Sequence, residues 1–164
     1  MHRSLLISLV SMVAIAGCDP TLSPFEPKDG DLPFPKNAVE GNGSVTELRN
    51  RQSAWLNSGS RNYRVEEQVY CFCSFREPNP AVLEVRSGQI TRAWNRRTGD
   101  EFSPETNEKR SVESLFEYAL EQAESGERIR VSYDARLGYP AILTIGEPER
   151  DAGVTYVLAN LQRF

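Results

Sequence analysis

Cys71 and Cys73 are the residues whose type and spacing most directly suggest chemistry in this sequence. They share one parity of a predicted strand, so their side chains project from the same face. In a fully extended strand their Cα atoms lie about 6.6 Å apart, just inside the limit of about 6.8 Å for a disulfide. Closing so short a loop contributes only about 1.6 kcal/mol of chain entropy, which makes stability alone a weak reason for the bond.

Three interpretations of this pair stay open: a local structural disulfide, two buried free thiols, and a redox-active or metal-binding pair. An oxidising compartment favours the disulfide, and a strained disulfide is the kind that exchanges readily. Two thiolates suit a soft ion such as Cu(I), but no His or Met lies nearby in the sequence to complete a ligand shell. The local disulfide is the favoured interpretation, and we assign no metal ligand.

The third cysteine, Cys18, follows an uncharged run from Leu5 to Ala16 that is typical of a signal peptide. The run is shorter than the roughly 20 apolar residues that cross a bilayer. Its ending, Ile15-Ala16-Gly17-Cys18, resembles the lipobox of bacterial lipoproteins, whose cysteine receives acyl chains such as palmitate and becomes the N-terminus. We expect removal of residues 1–17 and anchoring through Cys18, because two or more acyl chains hold a protein stably on a membrane.

The residues around this anchor also indicate a compartment. Asp19, directly after Cys18, resembles the enterobacterial signal for retention at the inner membrane, which predicts the periplasmic side of that membrane in a Gram-negative cell.

The single His, His2, lies in the segment predicted to be removed, which excludes a His-based catalytic triad or metal site. A formal net charge of −4 gives no general attraction for nucleic acid.

Residues 18–43 are rich in proline and glycine, and their few large apolar residues follow no period. This composition predicts an extended linker between the anchor and a single folded domain at residues 44–164.

Within the domain, Asp134 can accept hydrogen bonds from the backbone that follows it, and Gly138 can supply a positive φ. A shaped hairpin is the favoured interpretation of this turn, and a binding loop that presents Asp134, Arg136 and Tyr139 is the alternative.

The elements that position these residues follow from hydrophobic periodicity. Amphipathic helices are predicted to begin after the N-cap residues Ser44 and Ser111 and to end near Gly59 and Gly126. Strands are predicted over residues 63–73, 81–86, 89–94, 128–133, 141–145 and 154–158. This order predicts an α+β fold, with an antiparallel sheet of about five to six strands and both helices packed on one face. The helices are expected to bury Trp55, Leu48, Leu115, Phe116 and Leu120.

Several segments together resemble a known family. They include Cys71-Phe72-Cys73, Ser111-Val112 with Leu115-Phe116, and Tyr133-Asp134-Ala135-Arg136-Leu137-Gly138-Tyr139-Pro140. Over about residues 47 to 161 the chain is similar to a bacterial exported family known as domain of unknown function 6174. Ser74 departs from it, since a Pro often follows the second Cys there. The resemblance implies an exported or lipid-anchored protein and supplies no established activity.

The sequence contains no recognisable phosphate loop, nucleophile elbow or other catalytic set. Whether the protein is an enzyme is therefore left uncertain, with a non-enzymatic role favoured. We expect a membrane-tethered envelope lipoprotein without a cofactor, which binds a protein or another envelope component. The alternative is a thiol-disulfide or metal-handling protein that uses Cys71 and Cys73. A third hypothesis, a glycan-active enzyme, requires a concave pocket that holds two carboxylates.

Overall fold

A computed structural model of the protein describes residues 30–59, 61–71, 80–105, 109–147 and 152–164. These residues form two helices and one antiparallel sheet of seven strands. The helices are α1 (Val45–Asn57) and α2 (Val112–Glu124). The strands are β1 (Ala38–Gly41), β2 (Tyr63–Cys71), β3 (Ala81–Arg86), β4 (Gln89–Asn95), β5 (Ile129–Asp134), β6 (Pro140–Glu147) and β7 (Ala152–Arg163). Their order across the sheet is β1-β5-β6-β7-β2-β3-β4.

Both helices begin where the sequence predicts. The Ser44 hydroxyl accepts from the Glu47 N–H at 3.2 Å, and the Ser111 hydroxyl accepts from the Ser114 N–H at the same distance. The Glu47 carboxylate accepts from the N–H groups of Asn42 and Gly43, so it closes the turn before the cap rather than the cap itself. These bonds satisfy backbone donors that a helix start leaves free.

The buried residues of both helices join the same hydrophobic core. Trp55 of α1 and Phe116 of α2 lie in one cluster with strand residues such as Tyr133 and Leu143. The expected burial is confirmed for Leu48, Trp55, Leu115 and Phe116. Leu120 is only partly buried, because it lies toward the edge of the α2 stripe and packs against the rim of the cluster.

The α+β architecture is confirmed, but the sheet has seven strands rather than five to six. The strand that sequence reasoning missed is β1, which lies inside the stretch whose composition predicts a linker. It pairs with β5 from Ala38 opposite Asp134 to Gly41 opposite Val131. A four-residue strand flanked by Pro35 and Gly43 has too few residues to show a period, so its edge position is decided by β5 alone.

The N-terminal segment before β1 covers part of the sheet face opposite the helices. Leu32 is fully buried there with Val157, and the ring of Phe34 lies 6.0 Å from that of Tyr70. Gln68 fixes the segment, because its side chain accepts from the Leu32 N–H at 2.6 Å and donates to Asp31 at 2.7 Å. Residues 31–35 are therefore part of the folded unit.

Candidate functional site

A pocket of about 360 Å³ opens where three separate parts of the chain meet. One wall is the N-terminal segment from Pro33 to Asn37, and another is the turn between β5 and β6. The third comes from residues 159–161 of β7. A bulge at Asn160, which has φ +55°, interrupts the pairing of β7 with β2 at this point. We refer to this site as the turn pocket.

The three predicted binding-loop residues, Asp134, Arg136 and Tyr139, all line the turn pocket. Asp134 shapes the loop, because one carboxylate oxygen accepts from the N–H groups of Arg136 at 3.0 Å and Leu137 at 2.7 Å. Its other oxygen accepts from the Asn37 side chain at 3.0 Å, which ties the N-terminal segment to the turn. Gly138 has φ +74°, as the turn requires. Both features of the hairpin interpretation are therefore present.

Tyr139 is the most deeply placed polar residue of the turn pocket, with 3% of its surface exposed. Its ring packs edge-on against Trp55, with centroids 6.1 Å apart. Within the described part of the chain no group forms a hydrogen bond with its hydroxyl. Burial raises the pKa of Tyr139 to about 12, with a further increase from the nearby charge of Asp134. At neutral pH this hydroxyl is therefore an uncharged donor, and the described residues supply no acceptor for it.

Two cationic side chains, those of Lys36 in the N-terminal segment and Arg136 in the turn between β5 and β6, line the same pocket. Both residues are exposed, and among the described residues neither side chain makes an ion pair. The remaining lining includes the apolar side chains of Phe34, Leu137 and Leu161. Chemically, the turn pocket combines an apolar surface with two unpaired positive charges and one unused hydroxyl donor.

A second group of functional-type residues lies in the core beneath α2. Glu67 of β2 is completely buried, and its Oε2 lies 3.4 Å from the Nζ of Lys109, whose side chain is 2% exposed. Oε1 accepts from the Arg110 N–H at 3.1 Å, whereas Oε2 has no hydrogen bond. Burial raises the pKa of Glu67, and the charge of Lys109 opposes that shift. The charge of Lys109 therefore stabilises the buried Glu67 carboxylate more than hydrogen bonds do.

Another carboxylate, that of Glu113 in the first turn of α2, lies in the aromatic core. It accepts from the Trp55 indole N–H at 3.1 Å and from the Tyr63 hydroxyl at 2.5 Å. The Tyr63 oxygen in turn accepts from the Val112 N–H at 2.8 Å, so the network joins α1, α2 and β2. Burial and the charge of Glu113 both raise the pKa of Tyr63. With its polar atoms engaged in this way, the network fits a structural role.

The folded part of the chain matches a known protein family. A model described as a family of unknown function (DUF6174) matches residues 47–163. The chain belongs to the DUF6174 family. No curated protein and no solved structure matches the chain. The family match confirms the resemblance seen in the sequence, and it begins after β1, so the Lys36 wall of the turn pocket lies outside the matched region.

The cysteines of this DUF6174 protein are placed only in part. Cys71 is the last residue of β2, where it is partly buried and packs against the core cluster. Cys73 and Cys18 lie outside the described residues, so the Cys71–Cys73 disulfide and the acylation of Cys18 stay predictions. In the described segments no group of three His, Cys, Asp or Glu side chains could hold a metal ion, and no helix is long and apolar enough to cross a membrane.

Sequence reasoning missed two features that the DUF6174 fold makes plain. The composition of residues 18–43 predicts a linker and therefore gives no sign that Lys36 lines a site. The Glu67–Lys109 pair was also missed, although its signal was present in the strand pattern. Glu67 shares the parity of Val65 and Val69, so a charge lies in the middle of a strand face that is otherwise apolar.

Proposed function

We propose that this protein is a membrane-tethered envelope lipoprotein whose folded part is a non-enzymatic binding module, with the turn pocket as its binding site. The observation that carries the binding part is Tyr139, a buried residue that lines the pocket and whose hydroxyl lacks a hydrogen-bond partner among the described residues. A hydroxyl donor that the described residues leave unpaired, at the wall of a concave pocket, is available to an acceptor on a ligand.

The non-enzymatic part of the proposal follows from the state of the acidic side chains. Asp134 is the acidic residue among those lining the turn pocket, and its two oxygens accept three hydrogen bonds from the protein itself. Two cooperating carboxylates, as glycan hydrolysis requires, are not supplied by this lining. The arrangement suits recognition, in which fixed charges and donors orient a ligand without reacting.

The tether proposed from the sequence is shorter than its composition implied. The folded unit is in place from about Asp31, because Asp31 and Leu32 both bond to Gln68. From Cys18 to Gly30 the chain has 12 peptide steps, which span at most about 43 Å when fully stretched. An anchor at Cys18 would therefore hold the module, and the turn pocket beside its N-terminal segment, within a few tens of ångströms of the bilayer.

The anchoring half is tested by mass spectrometry and cell fractionation of the wild type and Cys18→Ser. We expect an intact mass that shows residues 1–17 removed and lipid added in the wild type, and loss of membrane association in Cys18→Ser. Recovery of an unmodified wild-type protein in the soluble fraction would contradict the anchor. The variant changes only the thiol that is expected to be acylated. The folded module has the same sequence in both proteins, so a difference in membrane association reports on the anchor.

The binding half is tested by photo-crosslinking in cells, with a benzophenone side chain introduced in place of Pro33, which is exposed and lines the turn pocket. This position leaves Lys36, Arg136 and Tyr139 intact. Arg97 is the control, since it is exposed and is not among the residues that line the turn pocket. We expect discrete adducts from position 33 that are absent from position 97. Identical adduct patterns at the two positions, or none at position 33, would show that the turn pocket is not the binding site.

A further inference from the structure

We propose that the turn pocket binds an oxyanion attached to an apolar group, with Lys36 and Arg136 facing its charge and the Tyr139 hydroxyl donating a hydrogen bond to it. The proposal rests on the proposed function, because it names the ligand class of the same site. It concerns a carboxylate or a phosphate, whichever source supplies the group.

The sign of the ligand charge follows from which charges in the pocket are already engaged. Asp134 accepts from two backbone N–H groups and from Asn37, so the protein itself provides its partners. Lys36 and Arg136 make no comparable contacts with the described residues. The lining therefore carries two positive charges, unpaired among the described residues, against one negative charge that already accepts hydrogen bonds, so the pocket favours a negative group.

The donor set is also that of an oxyanion site. Tyr139 is held in place by its packing on Trp55, so its hydroxyl is fixed before any ligand arrives. The raised pKa of Tyr139, caused mainly by burial, keeps this hydroxyl protonated across the physiological range. A neutral donor held by packing, beside two exposed cationic side chains, gives direction to the recognition of an oxygen atom, because hydrogen bonds to charged acceptors are among the stronger ones.

The apolar part of the ligand follows from the rest of the lining. Phe34, Leu137 and Leu161 contribute carbon surface to the turn pocket, alongside Pro33 and Pro35. A bare inorganic ion would leave this surface in contact with water. A ligand that covers it gains about 25 cal/mol for each Å² of apolar surface removed from water.

The test uses isothermal titration of the full chain, held in nonionic detergent micelles, with small probes. Benzoate and phenyl phosphate carry an oxyanion on an apolar ring, whereas benzamide is a neutral isostere of benzoate and acetate lacks the ring. We expect both ring-bearing anions to bind at least tenfold more tightly than benzamide or acetate. Tighter binding of benzoate points to a carboxylate source, and tighter binding of phenyl phosphate points to a phosphate source.

Three variants assign the contacts. Arg136→Gln and Tyr139→Phe should each weaken benzoate binding about tenfold, because each removes one contact to the charged group. Tyr139→Phe keeps the ring packed on Trp55, so it separates the hydroxyl from the fold. Arg97→Gln makes the same charge change as Arg136→Gln at an exposed position away from the pocket, and should alter binding less than twofold.

The outcomes separate this inference from the proposed function. Equal binding of benzamide and benzoate would overturn the oxyanion assignment and leave a neutral ligand for the turn pocket. Equal weakening by Arg97→Gln and Arg136→Gln would show binding by overall charge, which also overturns it. Failure of every probe to bind more tightly than about 10 mM would count against the site itself, whatever its ligand.

Discussion

Removing one partner of the buried pair formed by Glu67 and Lys109 should greatly reduce the free energy of unfolding of this protein. The atoms Oε2 and Nζ lie 3.4 Å apart, and the two side chains are 0% and 2% exposed. Lys109→Met removes the ammonium and keeps most of the side-chain volume. It leaves a carboxylate in the core with one remaining hydrogen bond, from the Arg110 N–H.

The magnitude follows from the distance and the burial. At 3.4 Å the Coulomb attraction is about 5 kcal/mol for an effective dielectric constant near 20. The cost of removing both charges from water largely offsets this attraction, so the intact pair adds little net stability. Removing one partner exposes the uncompensated cost, and we expect Lys109→Met to reduce the free energy of unfolding by about 3–5 kcal/mol.

The assay is urea unfolding of a double-mutant cycle. Glu67→Gln keeps an oxygen that can accept from the Arg110 N–H, so it removes the charge without removing that bond. We expect each single variant to lose about 3–5 kcal/mol and the double variant Glu67→Gln/Lys109→Met less than about 1 kcal/mol, which gives a coupling of at least about 5 kcal/mol. The control is Arg49→Met, which breaks a shorter but exposed ion pair with Glu124, at 2.6 Å, and should cost under about 1 kcal/mol.

The dependence on pH has a definite sign. Burial raises the pKa of Glu67 in the folded state above its ordinary value of 4.5. Between the ordinary and the raised pKa the folded protein holds a proton that the unfolded chain has lost, so stability falls as the pH rises through that window and levels off above it. Glu67→Gln should remove this part of the fall. The loss caused by Lys109→Met should be smaller at pH 4 than at pH 8.

Two results would refute this reasoning. One is a cost for Lys109→Met no larger than that for Arg49→Met, which would mean that water reaches the Glu67 carboxylate. The other is a double variant whose loss equals the sum of the two single losses, which would mean that the groups do not interact.

Three further predictions concern other parts of the fold. Thiol counting on denatured, unreduced protein should find Cys71 and Cys73 oxidised to each other, and replacing both with Ser should cost only about 1–2 kcal/mol; two reactive thiols would contradict the bond. Gly41→Ala should destabilise the protein in urea unfolding, because its Cβ would lie 2.5 Å from a ring carbon of Tyr133; unchanged stability would mean that β1 moves freely. Leu120→Ala should cost less than the 2–5 kcal/mol typical of core leucines, since the residue is partly buried, and a full-sized loss would place it in the core.

Short stretches of sequence determine the helix starts and turns of this protein. Ser44 and Ser111 announce the helix starts because a cap acts on backbone groups two or three residues away. The predicted strands over residues 81–86 and 89–94 leave only Ser87-Gly88 between them, which indicates a tight hairpin, and both residues have the positive φ that such a turn requires. The Asp134 turn likewise depends on hydrogen bonds to the backbone within three residues. In each of these cases the residues that predict the structure lie within about three residues of the backbone groups that they position.

The turn pocket and the buried ion pair were decided by the tertiary structure alone. The segment that carries Lys36 is held by contacts distant in sequence, namely the pairing of β1 with β5 and the hydrogen bonds of Asp31 and Leu32 to Gln68. Glu67 meets Lys109 across more than 40 residues of chain, and a strand pattern reveals the buried charge without naming its partner. Such contacts depend on which sheet edge is left open and on the register with which a strand joins it. Neither quantity is encoded in the few neighbouring residues that fix helices and turns.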